Sequence, residues 1–314
     1  MKTEVWKVVT SPTTTLGHMT LQSLIRRFSG SLARTAAGGR EHIFLPPPRL
    51  LSTRDSFQSL FDRVSRRKMG SVPGCGGPPK VQANVANLFQ DIESAVESTS
   101  LGKEKWYILT IAALVGGTEP ELADQLYLYI INKPEYATTS HRHYLIRRLR
   151  EALVKLVSIV GVCKPLEAII AIMKVEKEED RDYTFTRENW QCDQENHDRG
   201  MEWMRQIYAH NIEPTLDLFK AHQDFRWIST EITYGLYLSD RKILDDLDTE
   251  LVVLVGIMVQ NLRLETHWHI RGTRRIGVSK GDVEIIVACV HKVANFMGTS
   301  LNRIPTVEEV EKDV

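Results

Sequence analysis

The chain has little of what builds extracellular, fibrous or membrane proteins. Only four cysteines occur in 314 residues, Cys75, Cys163, Cys192 and Cys289, and no two of them share a CxxC or other ligand-like spacing. That pattern excludes a disulfide framework and gives no support to a cysteine zinc site, so a reducing compartment is the simplest setting. Long apolar runs are also missing. The longest, residues 251–259, falls far short of the roughly 18 residues that a membrane-spanning helix needs, so no membrane insertion is expected. Net charge is absent too, because 40 basic residues are matched by 40 acidic ones. What is present, 42% hydrophobic and 25% charged residues, is the composition of a globular protein with a sizeable core.

The neutral total hides an asymmetry. Residues 1–80 hold 13 Lys/Arg and 4 Asp/Glu, or +9, which leaves 27 against 36, or −9, for residues 81–314. No acidic residue lies between Val5 and Arg40. Leu21, Leu24, Ile25, Phe28 and Leu32 recur at helical spacing, with Arg26, Arg27 and Arg34 off that stripe. An amphipathic, basic, acid-free segment of this kind is similar to a mitochondrial presequence, with Arg26-Arg27-Phe28-Ser29 as its processing site. Mitochondrial import is therefore the expectation. A disordered basic tail on a cytoplasmic protein is the alternative, and translation from Met1, Met19 or Met69 stays open. A nucleic-acid arm is disfavoured, since the acidic remainder offers no basic surface to continue it. Residues 44–79 have linker composition, in which Pro46-Pro47-Pro48 and the cluster from Gly74 to Pro79 bracket the basic patch Arg66-Arg67-Lys68. The glycines do not form a phosphate loop, because Lys80 lacks the GKS/T context and no apolar strand precedes it.

From Val81 onward the pattern is helical. Residues 83–97, 104–115, 120–132, 140–160, 164–176, 196–209 and 213–222 carry apolar residues three and four apart, which predicts an all-α body. Pro134, Pro165 and Pro214 mark helix starts or breaks. The charged tract from Lys174 to Asp182 and the polar stretch from Thr186 to Arg199 predict an exposed connection. The organisation is thus 1–80 as a basic segment, 81–182 as an N-terminal helical half and 183–314 as a C-terminal half.

The chemistry-bearing residues concentrate in the last third. Asp245, Asp246, Asp248 and Glu250 crowd the start of an apolar helix, where carboxylates meet unpaired backbone N–H groups. After a break near Asn261, a second helix carries Glu265, His267, Trp268, His269, Arg271, Arg274 and Arg275. Glu265 and His269 share a face with Leu262, Gly272 and Ile276, so this stripe is expected to point inward. His267 and His269 lie roughly 200° apart around a regular helix and cannot chelate one metal, so no metal site is expected. Gly277 supplies a left-handed cap, and Ser279 with Asp282 supplies a capping-box-like start for the following helix, residues 281–297.

The run from Glu265 to Gly272, then Gly277-Val278-Ser279 and Val283-Glu284-Ile285-Ile286, resembles the carboxymuconolactone decarboxylase and alkylhydroperoxidase D superfamily. The upstream element around Glu250 strengthens the likeness. Glu250 precedes Leu262 by twelve residues, Leu262 precedes Glu265 by three, and Glu265 precedes His269 by four. In the peroxidase branch those stations hold a relay glutamate, two cysteines and a histidine. Here Glu250 and His269 match, while Leu262 and Glu265 replace both cysteines, as in the decarboxylase branch. The resemblance covers residues 240–302. It implies an alkylhydroperoxidase D-like helical bundle. Lys155 before Gly161 and Lys292 before Gly298, each by six, share a spacing that two degenerate repeats in one chain would leave. Single-repeat members complete the same core by oligomerising, so a homo-oligomer also stays open.

Three functions compete on this reading. The first is cofactor-independent general acid/base chemistry, a decarboxylation or related proton transfer on a small carboxylated or lactone-like metabolite. His269 would be the acid/base, Glu250 its orienting or relay partner and Glu265 a second carboxylate, with His267 or Arg271 binding an anionic group. The second is an alkylhydroperoxidase-type peroxidase, which needs two neighbouring thiols that positions 262 and 265 do not provide. The third is a non-catalytic helical interaction protein. Cys192 with His197, His141 with His143, and Trp190, Trp203 and Trp227 lack ligand or stacking spacing, and are expected to be ordinary surface or core residues.

Overall fold

Two helices are buried along nearly their whole length, and the architecture is organised around them. The computed structural model describes residues 80–314, so the segments read as a presequence and a linker, with the glycine cluster, lie outside the described residues. The helices in chain order are α1 (Ala83–Glu97), α2 (Lys105–Gly116), α3 (Ala123–Ile131), α4 (Thr139–Val160), α5 (Cys163–Val175), α6 (Gln194–Tyr208), α7 (Ile212–Asp217) and α8 (Gln223–Trp227). A π-helix (Ile228–Leu238) continues α8. It is followed by α9 (Asp246–Met258), α10 (Arg263–Arg275), α11 (Lys280–Phe296) and α12 (Val307–Glu311). No strand occurs among the described residues, as expected of an all-α protein.

In α2 every residue from Trp106 to Gly116 is buried, and in α9 every residue from Asp248 to Met258. A helix can be apolar all round only where other helices enclose it. The two pack against each other, with α4 against both and α1 and α11 covering α2. One core joins Val85 of α1 to Val310 of α12 and so draws on both sides of residue 182. A second, smaller cluster gathers Trp203, Ile207, Tyr208 and Leu216 against Tyr234 and Leu238 of the π-helix.

The charged connection is tied down more firmly than its composition predicts. Asp180 is buried and receives the Arg142 Nε at 2.7 Å, Arg150 binds Asp182 at 2.8 Å, and Arg187 grips both Glu151 oxygens at 2.6 Å. Part of the polar stretch is also helix, because Asp193 caps the start of α6 by accepting the Asn196 N–H at 3.0 Å.

Residues 213–222 do not form one helix. They break into α7 and a following turn, and the eleven-residue π-helix has no counterpart in the sequence pattern, which carries no 4.4-residue signal. At Gly200 of α6 a Cβ would come within 2.8 Å of the Gly235 nitrogen and 2.9 Å of the Thr230 carbonyl, so α6 and the π-helix meet backbone to backbone. The buried Asn196 side chain fills the space beside Gly235 and donates to the Glu231 carbonyl at 2.9 Å. At the far end, buried Lys155 donates to the carbonyls of Leu238 at 3.3 Å and Asp240 at 2.8 Å. The wide helix thus has its loosened carbonyls taken up at both ends.

Candidate functional site

The acidic start of α9 resolves into two separate tasks. Asp245 and Asp248 form a capping box, and Asp248 also receives Arg148 and Lys105, each at 2.9 Å. These contacts lock the first turn of α9 to α4 and α2. Glu250, one half-turn deeper, is 0% exposed and faces α10. Its Oε1 stands 2.8 Å from Nδ1 of His269, which is 4% exposed.

Three local features let α10 approach closely enough for that bond. Asn261, at φ 60°, turns the chain sharply after α9. Gly272 lies over the pair, where a Cβ would come within 2.5 Å of Ile207 Cγ2 and 3.4 Å of Glu250 Oε1. Thr273 donates its hydroxyl to the His269 carbonyl at 2.7 Å, and stands 3.4 Å from the same glutamate oxygen. The helix ends at Gly277, φ 98°, as expected. The next helix begins with only half of the anticipated box. Ser279 accepts the Asp282 N–H at 3.1 Å, while the Asp282 carboxylate turns to the Ser100 hydroxyl at 2.5 Å.

A carboxylate accepts, so the Glu250 contact puts a hydrogen on Nδ1 of His269 and leaves Nε2 as the proton-exchanging nitrogen. The second glutamate oxygen has no partner among the described residues. The Tyr208 ring lies edge-on to His269 with centroids 6.2 Å apart, and the hydroxyls of Tyr208 and Tyr234 are 3.0 Å apart. Burial pushes Tyr208 up to about 12 and Tyr234 well above its usual value, so both phenols stay neutral.

The other expected site residues do not join this pair. Glu265 is half-buried one turn earlier on α10, in the wall of a separate surface pocket of about 390 Å³ with His267, Trp268 and Arg303. His267 pairs with Asp313 at 3.0 Å between Nε2 and the carboxylate. Arg271 is buried, and burial lowers the pKa of its guanidinium. Its Nε finds no partner among the described residues. Neither Glu250 nor His269 lies in the wall of that pocket or of the pocket between α6 and the π-helix. The structure therefore brings Glu250 and His269 together and holds Glu265 and His267 at the surface beside them.

Sequence reasoning missed a second imidazole–carboxylate pair. His197 of α6 places Nδ1 2.6 Å from Glu231 Oε1 of the π-helix, and Thr230 donates to the same oxygen at 2.9 Å. Both residues line an open pocket of about 500 Å³. The partners are 34 residues apart on different elements, so no spacing rule links them. The chain matches no family model, no curated protein and no solved structure.

Proposed function

We propose that the protein carries out cofactor-independent general acid/base chemistry on a small carboxylated or lactone-like metabolite, with His269 as the proton carrier and Glu250 as its positioning partner. The observation that carries this reading is the buried 2.8 Å contact between His269 Nδ1 and Glu250 Oε1. An enclosed carboxylate fixes the imidazole tautomer, orients the ring and stabilises the imidazolium formed when Nε2 takes a proton. Decarboxylation leaves electron density at carbon that needs a nearby proton, and such a pair supplies it. Glu265, one turn away at the adjoining pocket, is the second carboxylate, and Arg303 in the same wall offers a cation for an acidic substrate. The family resemblance over residues 240–302 supports the same assignment and the alkylhydroperoxidase D-like bundle.

Thiol chemistry has weaker support. Cys289 is buried, and burial pushes its thiol up to about 11, away from the thiolate form. Cys163 and Cys192 are exposed and sit on different elements. One observation favours a structural role instead. Glu250 and His269 are almost wholly enclosed, which is how a hydrogen-bonded pair that only holds α9 to α10 would look.

The test begins with metabolite comparison between wild type and a deletion strain, followed by assay of the accumulating compound with purified protein. In that assay His269→Gln is expected to lower turnover by about 10² to 10⁴ while the protein remains folded. A folded His269→Gln protein with full turnover would overturn the proposal in favour of the structural role. Thiol-dependent hydroperoxide turnover abolished by a single Cys→Ser change would overturn it in favour of the peroxidase.

A further inference from the structure

The pocket between α6 and the π-helix has the features of a ligand site, and its chemistry does not depend on what His269 does. Its wall joins a proton-exchanging group, a flat aromatic face and a cation. His197 keeps 37% of its side chain exposed, while its partner Glu231 keeps 15%. Glu231 Oε1 accepts from both Thr230 and His197 Nδ1. Nε2, on the side of the ring away from Glu231, is therefore the nitrogen left to meet a ligand. Trp227 lines the same pocket and is 54% exposed, an unusual setting for a large aromatic side chain. Met201 adds a soft apolar surface, and Arg226 stands in the rim with Asp224.

The backbone around this pocket is built for it at some cost. A π-helix is rare even as a single turn, and such turns concentrate at functional sites. Here it runs for eleven residues, from Ile228 to Leu238, and it places Thr230 and Glu231 side by side facing α6. The Gly200 contact and the inserted Asn196 exist to let α6 reach it. The π-helix buries Tyr234 and Leu238 in the smaller hydrophobic cluster, while Thr230 and Glu231 turn toward the pocket.

We propose that this pocket binds a small planar phenol and takes up its proton. The ring stacks on Trp227 and the O–H faces Nε2 of His197. In the bound state the phenol O–H bond breaks, the proton passes to Nε2, and the electron pair stays on the phenolate oxygen. The imidazolium remains paired with Glu231, and the Arg226 guanidinium balances the phenolate. Asp224, the fourth charged group in the wall, disfavours a ligand with further negative charge and selects for a monoanion.

The probe is 4-nitrophenol, whose phenolate is coloured, added to the full-length protein buffered about one unit below the free phenol's own pKa, where roughly nine-tenths of it is neutral. Wild type should give a saturable gain of phenolate absorbance, with quenching of indole fluorescence over the same range. His197→Gln should abolish the absorbance gain, and Trp227→Ala should weaken binding at least tenfold. His269→Gln should leave both signals unchanged, and 4-nitroanisole, which has no proton to give, should quench the fluorescence without a colour change. If His197→Gln does not fold, Glu231→Gln replaces it and should cut the absorbance gain severalfold. No saturable signal with wild type, or a full absorbance gain in either dyad variant, would overturn the proposal.

Discussion

The two imidazole–carboxylate pairs of this chain share one hydrogen bond and differ in everything around it. His269 Nδ1 meets Glu250 at 2.8 Å with both side chains enclosed, and His197 Nδ1 meets Glu231 at 2.6 Å in the wall of an open pocket. The contrast separates two requirements that are easily conflated. Enclosure strengthens an electrostatic contact and makes it costly to break, because a freed polar group has no water to turn to. Access lets a ligand exchange a proton with the imidazole. The first pair has more of the former and the second more of the latter, so stability measurements and binding measurements should rank them in opposite orders.

The largest effect expected is on stability, at the enclosed pair. Glu250→Ala strands the His269 N–H without a partner, at about 1 to 3 kcal/mol, and the cavity left behind by truncation adds to it. Glu231→Ala removes the same kind of contact where solvent can replace it, and should cost about 1 kcal/mol or less. Urea denaturation of the two variants gives the comparison directly. Equal losses would show that the open pair is structurally committed as well, and would remove its claim to be free for a ligand.

Next in size are the two glycines that let α6 and its neighbours close. Gly→Ala within a helix gains up to about 1 kcal/mol of propensity, so the sign depends on what the new methyl meets. At Gly200 it meets the Gly235 nitrogen and the Thr230 carbonyl, backbone atoms that cannot step aside, and overpacking of this kind costs about 1 to 3 kcal/mol. At Gly272 its closest neighbour is Cγ2 of the buried, β-branched Ile207, which must shift while the nearest backbone atom stays at 3.4 Å, so Gly272→Ala should also destabilise, but by less. Gly200→Ala should therefore lower the melting temperature more than Gly272→Ala. The reverse order would mean that the π-helix yields readily and that α10 is the rigid element.

How much of this was legible in the residues depends on how local the cause was. Helix α1 coincides with the 83–97 expectation because its apolar residues repeat against a polar face. The cap at Gly277 and the Ser279 N-cap were equally local, a turn residue and a side chain three positions from its partner. Glu250 beside His269 was legible only through the spacing of a family pattern, since nothing in the 18 intervening residues sets that distance by itself. The pocket walls were not legible, because they join α10 to the segment around Arg303, and α6 to a π-helix. The π-helix itself arises from tertiary demands, namely a backbone contact at Gly200, Asn196 at one end and Lys155 at the other.

Lys155 sharpens the comparison through pH. Burial lowers its pKa from 10.5 to about 7, with Arg241 and Arg187 adding to the effect against the pull of Glu151 and Asp240. A base with a depressed native pKa binds fewer protons folded than unfolded between those two values, so stability rises with pH across that window. Below about 7 the amine is charged in both states, and the fold carries the full burden of enclosing it. A wild-type melting temperature that climbs from neutral toward alkaline pH, and a flatter profile in Lys155→Met, are the expected outcome. Identical slopes would show that Lys155 keeps its proton in the fold through its carbonyl and Glu151 contacts.

The smallest expected effect tests whether the enclosed pair extends beyond its two members. Tyr208 touches both sides of the comparison, because its ring lies beside His269 and its hydroxyl meets that of Tyr234 on the π-helix at 3.0 Å. Tyr234→Phe removes one neutral hydrogen bond and preserves the ring, so it should cost about 0.5 to 1.5 kcal/mol, or about 2 to 6 °C in melting temperature for a body of this size. Its effect on turnover in the assay for the proposed His269 chemistry is the more informative reading. If the hydroxyl pair only fills space, turnover stays near wild type while stability falls by that small amount. If Tyr234 positions the Tyr208 phenol against the imidazole, turnover falls severalfold with the same small loss of stability. Tyr208→Phe should then reproduce the fall, because a phenol that acts on the imidazole must lose its influence whichever hydroxyl of the pair is removed.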